Sequence, residues 1–461
     1  HEAVITMMDL PPGCEGAHTV EFYEKILRQI LDSDMKFSSL CFKDASGTSH
    51  PRKVYETIKM ARSLLPKDMH IRFHTHETAG VSVACYLAAL DAGADGIDTA
   101  VDPLSGGTSQ PDLLTMLHAT KNSDYNLGDL ESSKVLKYRE VLVERLKDYY
   151  FPGEAQKVSP LIPFSPMPGG ALTANTQMMR DNNILDKFPE VINAMGEVVE
   201  KGGYGTSVTP VSQFYWQQAF SNVMFGTWNK IADGYGKMVL GYFGKTPTKP
   251  DSKIVELASE QLKLDPTTEN PLDIADRDEK KSINYWSSVL KNEGIDVNDE
   301  NIFIAAACGD KGIEFLKGEI SANVRKIDPN APVDTSSSKS TEPSVASTYT
   351  VILDGEKYNV QVAPGENIDI VPASANTANT TESKTESVKS DGQGVGAPVN
   401  GVVIKVLSNV GDKVSADQTV MVLESMKMEI EVKAGSDGTL ASISVAKGQN
   451  VEEGQSIFAV S

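Results

Sequence analysis

The stretch Ile71-Arg72-Phe73-His74-Thr75-His76 is a short apolar run that ends in two histidines, and an amphipathic segment follows it. Three more strand–helix units of this kind occupy the first 121 residues. We predict strands at 3–8, 39–42, 71–73 and 96–101, and helices at 19–33, 51–65, 81–92 and 111–120. Repeated units with short connections predict a parallel sheet of the α/β class. The pattern fits either a small doubly wound sheet or half of a (β/α)8 barrel.

The rest of the chain divides into three regions after this first one, which we place at 1–125. Residues 126–326 are predicted to be mainly helical. Residues 327–396 are rich in Ser, Thr, Lys and Glu, so they cannot bury enough surface to offset the entropy of ordering and are predicted to be a flexible linker. Within the linker, 349–362 is predicted to be a β-hairpin with its turn at Asp354-Gly355. This hairpin is either a docking element for a partner or simply part of the linker.

The last region, 397–461, contains an internal repeat. Five residues recur with the same or a similar type 37 positions later: Gly401, Gly411, Val414, Gln418 and Val420 match Gly438, Gly448, Val451, Gln455 and Ile457. Two similar β-rich halves predict a flattened all-β barrel with approximate two-fold symmetry.

The segment that joins the two halves is Glu424-Ser425-Met426-Lys427-Met428-Glu429, and we expect it to form a protruding turn. A lysine on such a turn is accessible to a modifying enzyme. A flexible tether then raises the effective concentration of the attached group at each site that the domain visits. For an isolated lysine, an ordinary solvated side chain would be the simpler interpretation.

Composition limits the function further. The chain has 461 residues and a net charge of −20, which argues against nucleic-acid binding and against adsorption to anionic membranes. Four scattered cysteines without a C-x-x-C pair predict reduced thiols in a cytoplasmic protein. No apolar run is long enough for a membrane span, so we expect a membrane association only through a partner.

Polar side chains of the kinds that bind metals or take part in catalysis lie at the ends of two of the predicted strands. Because side chains alternate along a strand, His74 and His76 point the same way, and two imidazoles at one strand end are good metal ligands. Lys43 follows the neighbouring strand, and in parallel α/β folds the carboxyl ends of the strands form the active-site rim. The alternative for a bare His-x-His pair is two hydrogen-bonded histidines, and for Lys43 a solvated or salt-bridged side chain.

Residues 397–461 resemble the biotinyl carrier domain of biotin-dependent enzymes. That family places its modified lysine in Ala-Met-Lys-Met, and this chain has Ser425 in the place of the alanine. The resemblance implies covalent biotin on Lys427, flanked by Met426 and Met428. Lipoyl domains share the fold but usually lack a methionine on both sides of the lysine.

Most of residues 1–320 resembles the carboxyltransferase domain that is shared by pyruvate carboxylase, the oxaloacetate decarboxylase α subunit and transcarboxylase. The tracts that carry the resemblance are Phe42-Lys43-Asp44-Ala45-Ser46-Gly47, His74-Thr75-His76-Glu77-Thr78-Ala79-Gly80, Gly93-Ala94-Asp95-Gly96-Ile97-Asp98-Thr99-Ala100, Leu104-Ser105-Gly106-Gly107-Thr108-Ser109-Gln110-Pro111, Pro168-Gly169-Gly170 and Val208-Thr209-Pro210-Val211-Ser212-Gln213. The resemblance implies the C-terminal half of a (β/α)8 TIM barrel, with the four strands as the fifth to the eighth, followed by a helical region over its mouth.

The resemblance also implies a divalent metal, zinc, manganese or cobalt, held by His74, His76 and a carbamylated Lys43. The family's fourth ligand, an aspartate on the first strand, and the arginines that hold the keto acid have no counterpart in this sequence. The chain opens with His1-Glu2-Ala3 and not with Met. We therefore expect an N-terminally truncated sequence and, as it stands, an incomplete catalyst.

Two further roles follow from the resemblance. Thr209 corresponds to a threonine that moves a proton between biotin and the enolate of the keto acid, and Ser212 corresponds to a serine of the biotin pocket. The alternative for Thr209 is a cap on the helix predicted to begin near Pro210, and the two roles can coexist.

The function implied is that of a carboxyltransferase and biotin-carrier subunit, which moves a carboxyl group between carboxybiotin and pyruvate or oxaloacetate. The chain has no P-loop or ATP-grasp signature, so an ATP-dependent biotin carboxylase subunit is an expected partner. Biotin protein ligase is a second expected partner, and the resemblance implies a homo-oligomer.

Three interpretations of this function are open. Thr108-Ser109-Gln110-Pro111 favours the carboxyltransferase and biotin subunit of a two-subunit pyruvate carboxylase, which we prefer. Gln213 and the separated domains favour the α subunit of a sodium-pumping oxaloacetate decarboxylase. The non-enzymatic alternative is a biotin-bearing carrier or scaffold with an inactive barrel, against which the joint presence of Lys43, His74, His76 and Thr209 argues.

Overall fold

The computed structural model describes residues 1–126, 128–319, 325–327, 347–353, 356–362, 393–425 and 428–461, with the backbone alone for 347–353, 356–362, 393 and 428. The chain divides into two units. The first comprises His1–Arg325 together with Asp391–Ser461, and the second is Lys326–Ser390.

Four parallel strands form the sheet of the N-terminal region. They are β1 (Glu2–Thr6), β2 (Ser39–Asp44), β3 (His70–Thr75) and β4 (Gly96–Ile97), and they lie side by side in the order β1-β2-β3-β4. Neighbours in sequence are neighbours in space in a barrel, whereas a doubly wound sheet reverses its strand order at a switch point. The observed order is therefore the barrel order.

The fourth strand is shorter than the predicted 96–101. After Ile97 the chain leaves β3, and Ala100 instead forms a parallel bridge with Asp112. The backbone N–H of Ala100 donates to the Pro111 carbonyl, and the N–H of Leu113 donates to Ala100. The backbone N–H and carbonyl of Ala100 therefore find their hydrogen-bond partners in this loop and not in β3.

Four helices follow the four strands: α1 (Val20–Leu31), α2 (Pro51–Leu64), α3 (Ser82–Asp91) and α4 (Leu113–Ala119). Helix α2 begins with Pro51, as predicted, because its missing N–H costs nothing in the first turn. Its residues Val54, Ile58 and Ala61 recur at helical spacing and are fully buried. They share one hydrophobic core with Phe42 and other side chains of the sheet.

The region that follows is helical, as predicted. Its helices are α5 (Ser132–Leu146), α6 (Gly169–Asp181), α7 (Phe188–Lys201), α8 (Val211–Phe225), α9 (Asp233–Val239), α10 (Ser252–Leu262), α11 (Pro271–Asp276), α12 (Ile283–Asn292), α13 (Asp299–Cys308) and α14 (Asp310–Leu316). Trp216, Tyr215 and Tyr235 are fully buried in a second core, which α6 to α10 share.

The C-terminal region consists of two four-stranded sheets, ordered β11-β10-β8-β13 and β7-β14-β12-β9. The strands are β7 (Gln393–Gly396), β8 (Gly401–Val406), β9 (Lys413–Val414), β10 (Thr419–Ser425), β11 (Met428–Lys433), β12 (Gly438–Ile443), β13 (Asn450–Val451) and β14 (Ser456–Val460). The first strand, β7, lies before the predicted boundary at 397 and pairs with β14.

The predicted two-fold repeat is present in the hydrogen bonds as well as in the sequence. A shift of 37 residues superimposes the bounds of β8 on those of β12 and the bounds of β9 on those of β13. The N–H of Gly411 donates to Leu440 O at 2.8 Å, and the equivalent N–H of Gly448 donates to Val403 O at 2.7 Å. The two halves therefore have the same fold.

The turn between the halves is defined by its flanks. Strands β10 and β11 pair antiparallel, and Ser425 lies opposite Met428. The two residues between them, Met426 and Lys427, lie outside the described residues.

The second unit contains the predicted hairpin. Strands β5 (Ser347–Leu353) and β6 (Glu356–Val362) pair antiparallel, with Leu353 opposite Glu356. The turn at Asp354-Gly355 lies outside the described residues, as does most of the predicted linker.

Two predictions from composition can be compared with the structure. All four cysteines are free, as predicted. In the part of the chain that the structure describes, no helix is both long enough and apolar enough to cross a membrane.

Leu440 tests the contribution of the repeat core to stability, because its side chain is fully buried between the two sheets. We expect Leu440→Ala to destabilise the C-terminal domain by about 2–5 kcal/mol, since the lost contacts leave a cavity. Leu407→Ala, at a position that is 57% exposed, should change stability by less than about 0.5 kcal/mol. Hydrogen exchange of the β8 and β12 amides measures both, and equal protection in the two variants would contradict the expectation.

Candidate active site

The two predicted histidines converge at the carboxyl end of β3. His74 is the penultimate residue of the strand and His76 follows its end. Their Nε2 atoms are 3.2 Å apart, and both rings are half-buried. The prediction that the two side chains point the same way is confirmed.

The opposite nitrogen of each ring is fixed by an acceptor. His74 Nδ1 lies 2.7 Å from Asp98 Oδ2, and His76 Nδ1 lies 2.7 Å from the carbonyl oxygen of Thr108. A carbonyl cannot donate, so His76 Nδ1 carries the proton, and burial lowers the pKa of His76, which keeps the ring neutral. The free lone pair of His76 then lies on Nε2, where it faces His74.

Asp98 orients His74 in the same way. Burial alone would raise the pKa of Asp98, but hydrogen bonds from His74 and Arg72 outweigh it and lower the pKa. Arg72 donates to both carboxylate oxygens, at 2.9 and 2.8 Å, and also pairs with Glu2. An ionised Asp98 can only accept, so His74 Nδ1 donates to it, and Nε2 is the ring nitrogen that faces His76. A proton or a metal ion between the two Nε2 atoms would satisfy both nitrogens.

Lys43 lies on the strand beside this pair. It is opposite His74 in the parallel register of β2 and β3 and is half-buried. Among the described residues, no group of three His, Cys, Asp or Glu side chains is placed to hold a metal ion. The histidine pair fits a metal because ligand histidines characteristically donate their second N–H to a carboxylate or a carbonyl.

The loop after β2 is built around the buried carboxylate of Asp44. It accepts hydrogen bonds from the backbone N–H groups of Gly47, at 2.9 Å, and Ser49, at 2.7 Å. Gly47 has a φ of +67°, and a Cβ there would lie 2.3 Å from the carbonyl oxygen of His76. The loop therefore approaches the histidine strand as closely as only glycine permits.

Helix α6 begins beside the histidine pair. The N–H of Gly169 donates to the carbonyl of Ala45, which follows β2. A Cβ on Gly169 would lie 2.7 Å from His76 Nδ1 and 2.0 Å from the carbonyl of Thr108. The tract Pro168-Gly169-Gly170 thus brings the helical region onto the carboxyl edge of the sheet.

The segment before α8 is attached to the same edge. The N–H of Ser207 lies 3.2 Å from the sulfur of Met8, just beyond β1, and the Ser207 hydroxyl donates to the Pro166 carbonyl. Thr209 is exposed two residues further on. The residue that caps α8 is Pro210, and no side chain provides a capping hydrogen bond there. The capping role considered for Thr209 is therefore not observed.

The first turn of α8 contains buried polar atoms with unsatisfied hydrogen-bonding capacity. Ser212 is 1% exposed, and neither its hydroxyl nor the Nε2 of Gln213 has a hydrogen-bond partner among the described residues. Leaving such groups unpaired in the interior costs about 1–3 kcal/mol each.

The predicted attachment site is defined only by its flanks. Lys427 and Met426 lie outside the described residues, and Met428 is described as the first backbone residue of β11. The flanking pair of Ser425 and Met428 confirms a hairpin between the two halves of the repeat.

Asp98 and the Thr108 carbonyl are site groups that the sequence analysis missed, although both lie in tracts that it quoted. The sequence alone did not show the role of Asp98, because that role depends on the pairing of β3 with β4. Arg72 pairs with Gly96 and Phe73 with Ile97, and Asp98 follows directly after β4, where its carboxylate reaches His74. The Thr108 contact depends on the path of a loop and had no signal in the sequence either.

Three family models match successive parts of the chain. They are described as "HMGL-like", matching residues 12–136, "Conserved carboxylase domain", matching 162–369, and "Biotin-requiring enzyme", matching 393–460. A carboxylase domain joined to a biotin domain defines the class of enzymes that move a carboxyl group with the help of tethered biotin. The chain therefore combines an HMGL-like barrel fold, a helical conserved carboxylase domain and a C-terminal biotinyl domain, which is the domain set of biotin-dependent carboxyltransferases.

Similar proteins include a pyruvate carboxylase subunit of Methanocaldococcus jannaschii, which is 28% identical over 89% of this chain and 68% of that protein. The methylmalonyl-CoA carboxyltransferase 5S subunit of Propionibacterium freudenreichii subsp. shermanii is 29% identical over 63% of this chain and 56% of that protein. The carboxyl transferase domain of Rhizobium etli pyruvate carboxylase, solved with pyruvate and biocytin, has a TM-score of 0.58 at 22% identity and covers 69% of this chain. The match extends over 54% of that structure, so the chain spans about half of its length.

Asp98 allows a test of the metal site that does not depend on catalysis. We expect Asp98→Asn to weaken Zn²⁺ binding by about 10- to 100-fold, because His74 would lose the ionised acceptor that orients it. Competition with a chromophoric chelator measures the affinity. Asp68→Asn, in an exposed loop, is the matched control and should bind as the unsubstituted chain does. Equal affinities in the two variants would contradict the role of Asp98.

Proposed function

We propose that this chain transfers a carboxyl group between biotin and a small keto acid, pyruvate or oxaloacetate. The observation that carries the proposal is the pair of Nε2 atoms, 3.2 Å apart at the carboxyl end of β3, on a chain that also has a biotinyl domain. The relative from M. jannaschii is named as part of a pyruvate carboxylase, which supports the choice of keto acid.

In this proposal His74, His76 and a carbamylated Lys43 hold a divalent metal, which is zinc, manganese or cobalt. The metal supplies a Lewis acid for the carbonyl group of the keto acid. An ammonium group has no lone pair for a cation. A neutral Lys43 amine that adds to CO₂ and loses a proton instead becomes a carbamate, whose anionic oxygen is a suitable ligand.

Thr209 is the group that we propose for proton transfer. A hydroxyl donates one hydrogen bond and accepts another, so it can pass a proton between the methyl carbon of pyruvate and a biotin ring nitrogen without holding charge. Its exposure, two residues from the Ser207 contact to the end of β1, leaves it free to do so. Ser212, with its unpaired buried hydroxyl, and Gln213 would hold the ureido ring.

Lys427 is the proposed attachment point, with Met426 and Met428 as flanking recognition residues. Biotin supplies a carrier that accepts a carboxyl group at one site and releases it at another. The lysine lies in the connection between two strands that are fixed to both halves of the domain, so the body of the domain need not unfold to present it.

The partners that we propose are an ATP-dependent biotin carboxylase on a separate chain and biotin protein ligase. The four free cysteines favour a reducing, cytoplasmic location. We prefer the carboxyltransferase and biotin subunit of a two-subunit pyruvate carboxylase. Gln213 is the one residue that favours the α subunit of a sodium-pumping decarboxylase, so the experiment must separate these two enzymes.

Capture on avidin from the cells that make the protein separates them. We expect biotin on Lys427, none on the exposed Lys433 of the same hairpin, and a co-purifying biotin carboxylase whose complex carboxylates pyruvate at the expense of ATP. Small membrane subunits with sodium-dependent oxaloacetate decarboxylation would replace our assignment by the pump. A biotinylated chain that acts on neither keto acid would contradict the proposed function.

Thr209 has a matched pair of variants. We expect Thr209→Ala to slow carboxyl transfer in the captured complex by about 10²- to 10⁴-fold, because the proton relay is lost. Thr209→Ser retains a hydroxyl and should retain most of the activity. Metal content, measured in parallel, should be the same in both variants. Similar rates for the alanine and serine variants would remove Thr209 from the mechanism.

A further inference from the structure

The biotinyl domain contacts the helical region at a surface that the proposed mechanism does not use. Met224 and Phe225, at the end of α8, pack against the hydrophobic core of the biotinyl domain. The Nζ of Lys230 lies 3.4 Å from the carbonyl oxygen of Glu429 on β11. The side-chain amide of Asn400, in the biotinyl domain, donates to the carbonyl oxygen of Asn182 at the end of α6. We call Asn182, Met224, Phe225 and Lys230 the dock.

Charge complementarity accompanies these contacts. The β10–β11 hairpin carries Glu424, Glu429 and Glu431 and faces lysines of the helical region. Lys230 is half-buried, and the nearby Glu431 favours its charged form. Glu424 likewise favours the charged form of Lys311. Burial lowers the pKa of Lys230 and the nearby Glu431 opposes this, so the lysine is a desolvated cation held beside a carboxylate. Glu431 and Glu424 therefore each attract a lysine of the helical region, whereas the Glu429 carboxylate pairs with Lys405 of its own domain.

The contact is also incompletely packed. Between the end of α6 and the biotinyl domain lies a cavity of about 490 Å³, lined by polar groups that include Asn183, Asn450 and Gln455. A fully packed apolar interface would hold the two parts permanently, whereas a polar interface with such a cavity is typical of domains that move relative to one another.

The dock lies at the far ends of two helices whose near ends are at the active site. Helix α6 begins at Gly169, beside His76, and its C-cap is Asn182. Helix α8 begins just after Thr209, and Phe225 is its last residue. The helices have 13 and 15 residues. At about 1.5 Å per residue the dock is about 20 Å from the edge of the sheet along each of them.

We propose that the dock is a resting position of the biotinyl domain on its own chain, from which the domain must leave before biotin can reach Thr209 and the histidine pair. Glu429, two residues after Lys427, is held against Lys230 in this position. Docking therefore holds the flank of the biotin-bearing hairpin at the end of α8 opposite the one that bears Thr209. The interpretation of the docked state as a resting state depends on the proposed function. The docking itself can be tested without an enzyme assay.

The test uses Lys230→Glu in the full, biotinylated chain with ¹⁵N-labelled backbone. Transverse relaxation of the biotinyl-domain amides reports whether the domain tumbles with the helical region or on its own. We expect the unsubstituted chain to relax as one body and Lys230→Glu to lower the domain's relaxation rates several-fold. Adding Glu431→Lys should restore the higher rates, because the charges are then exchanged. Lys67→Glu, exposed and outside the dock, is the control for charge reversal alone.

Relaxation rates that are already low in the unsubstituted chain, or that are the same in Lys230→Glu, would overturn the resting position. Failure of Glu431→Lys to restore the rates would overturn the pairing of these two charges as its basis. Neither result bears on carboxyl transfer. A chain that docks as expected but transfers no carboxyl group would leave the docking in place and contradict the proposed function.

Discussion

The parallel register of β2, β3 and β4 is the constraint on which the site depends. It places Lys43 beside His74 and His74 beside Asp98, so three side chains that are distant in sequence share one edge of the sheet. Backbone hydrogen bonds between the strands fix this register. The side chains of the site therefore need not contribute to the stability of the sheet. Loops and helix ends are then fitted around this edge.

The close packing of loops and helix ends around this edge depends on residues that have no side chain. Gly47 and Gly169 approach His76 so closely that any Cβ would collide with backbone. The approach at Gly169 allows the helical region to reach the histidines, and the approach at Gly47 brings the loop after β2 against them. The unpaired hydroxyl of Ser212 has the opposite character, since it is a buried group that the fold leaves unsatisfied.

The sequence predicted the elements of the fold well because they depend on local patterns. Apolar runs gave the strands, the 37-residue repeat gave the two-sheet domain, and alternation along a strand gave the convergence of His74 and His76. The short β4 and the Thr108 contact were not predicted, because each depends on where a loop turns back. The capping role of Thr209 failed for a related reason: Pro210 occupies the cap position, and no side chain bonds there. The contact of Asn400 with Asn182 joins residues far apart in the chain and has no local signal.

The two halves of the biotinyl domain are interleaved. In each sheet the two central strands come from one half and the two outer strands from the other. A single half would thus leave both edges of its central strand pair and both of its outer strands unpaired, and unpaired edges invite association with another chain. Such a half could satisfy its edges only by exchanging strands with a second copy. The arrangement is what gene duplication would produce from an ancestral strand-swapped dimer, with the lysine hairpin as the covalent link that made the two copies one cooperative unit.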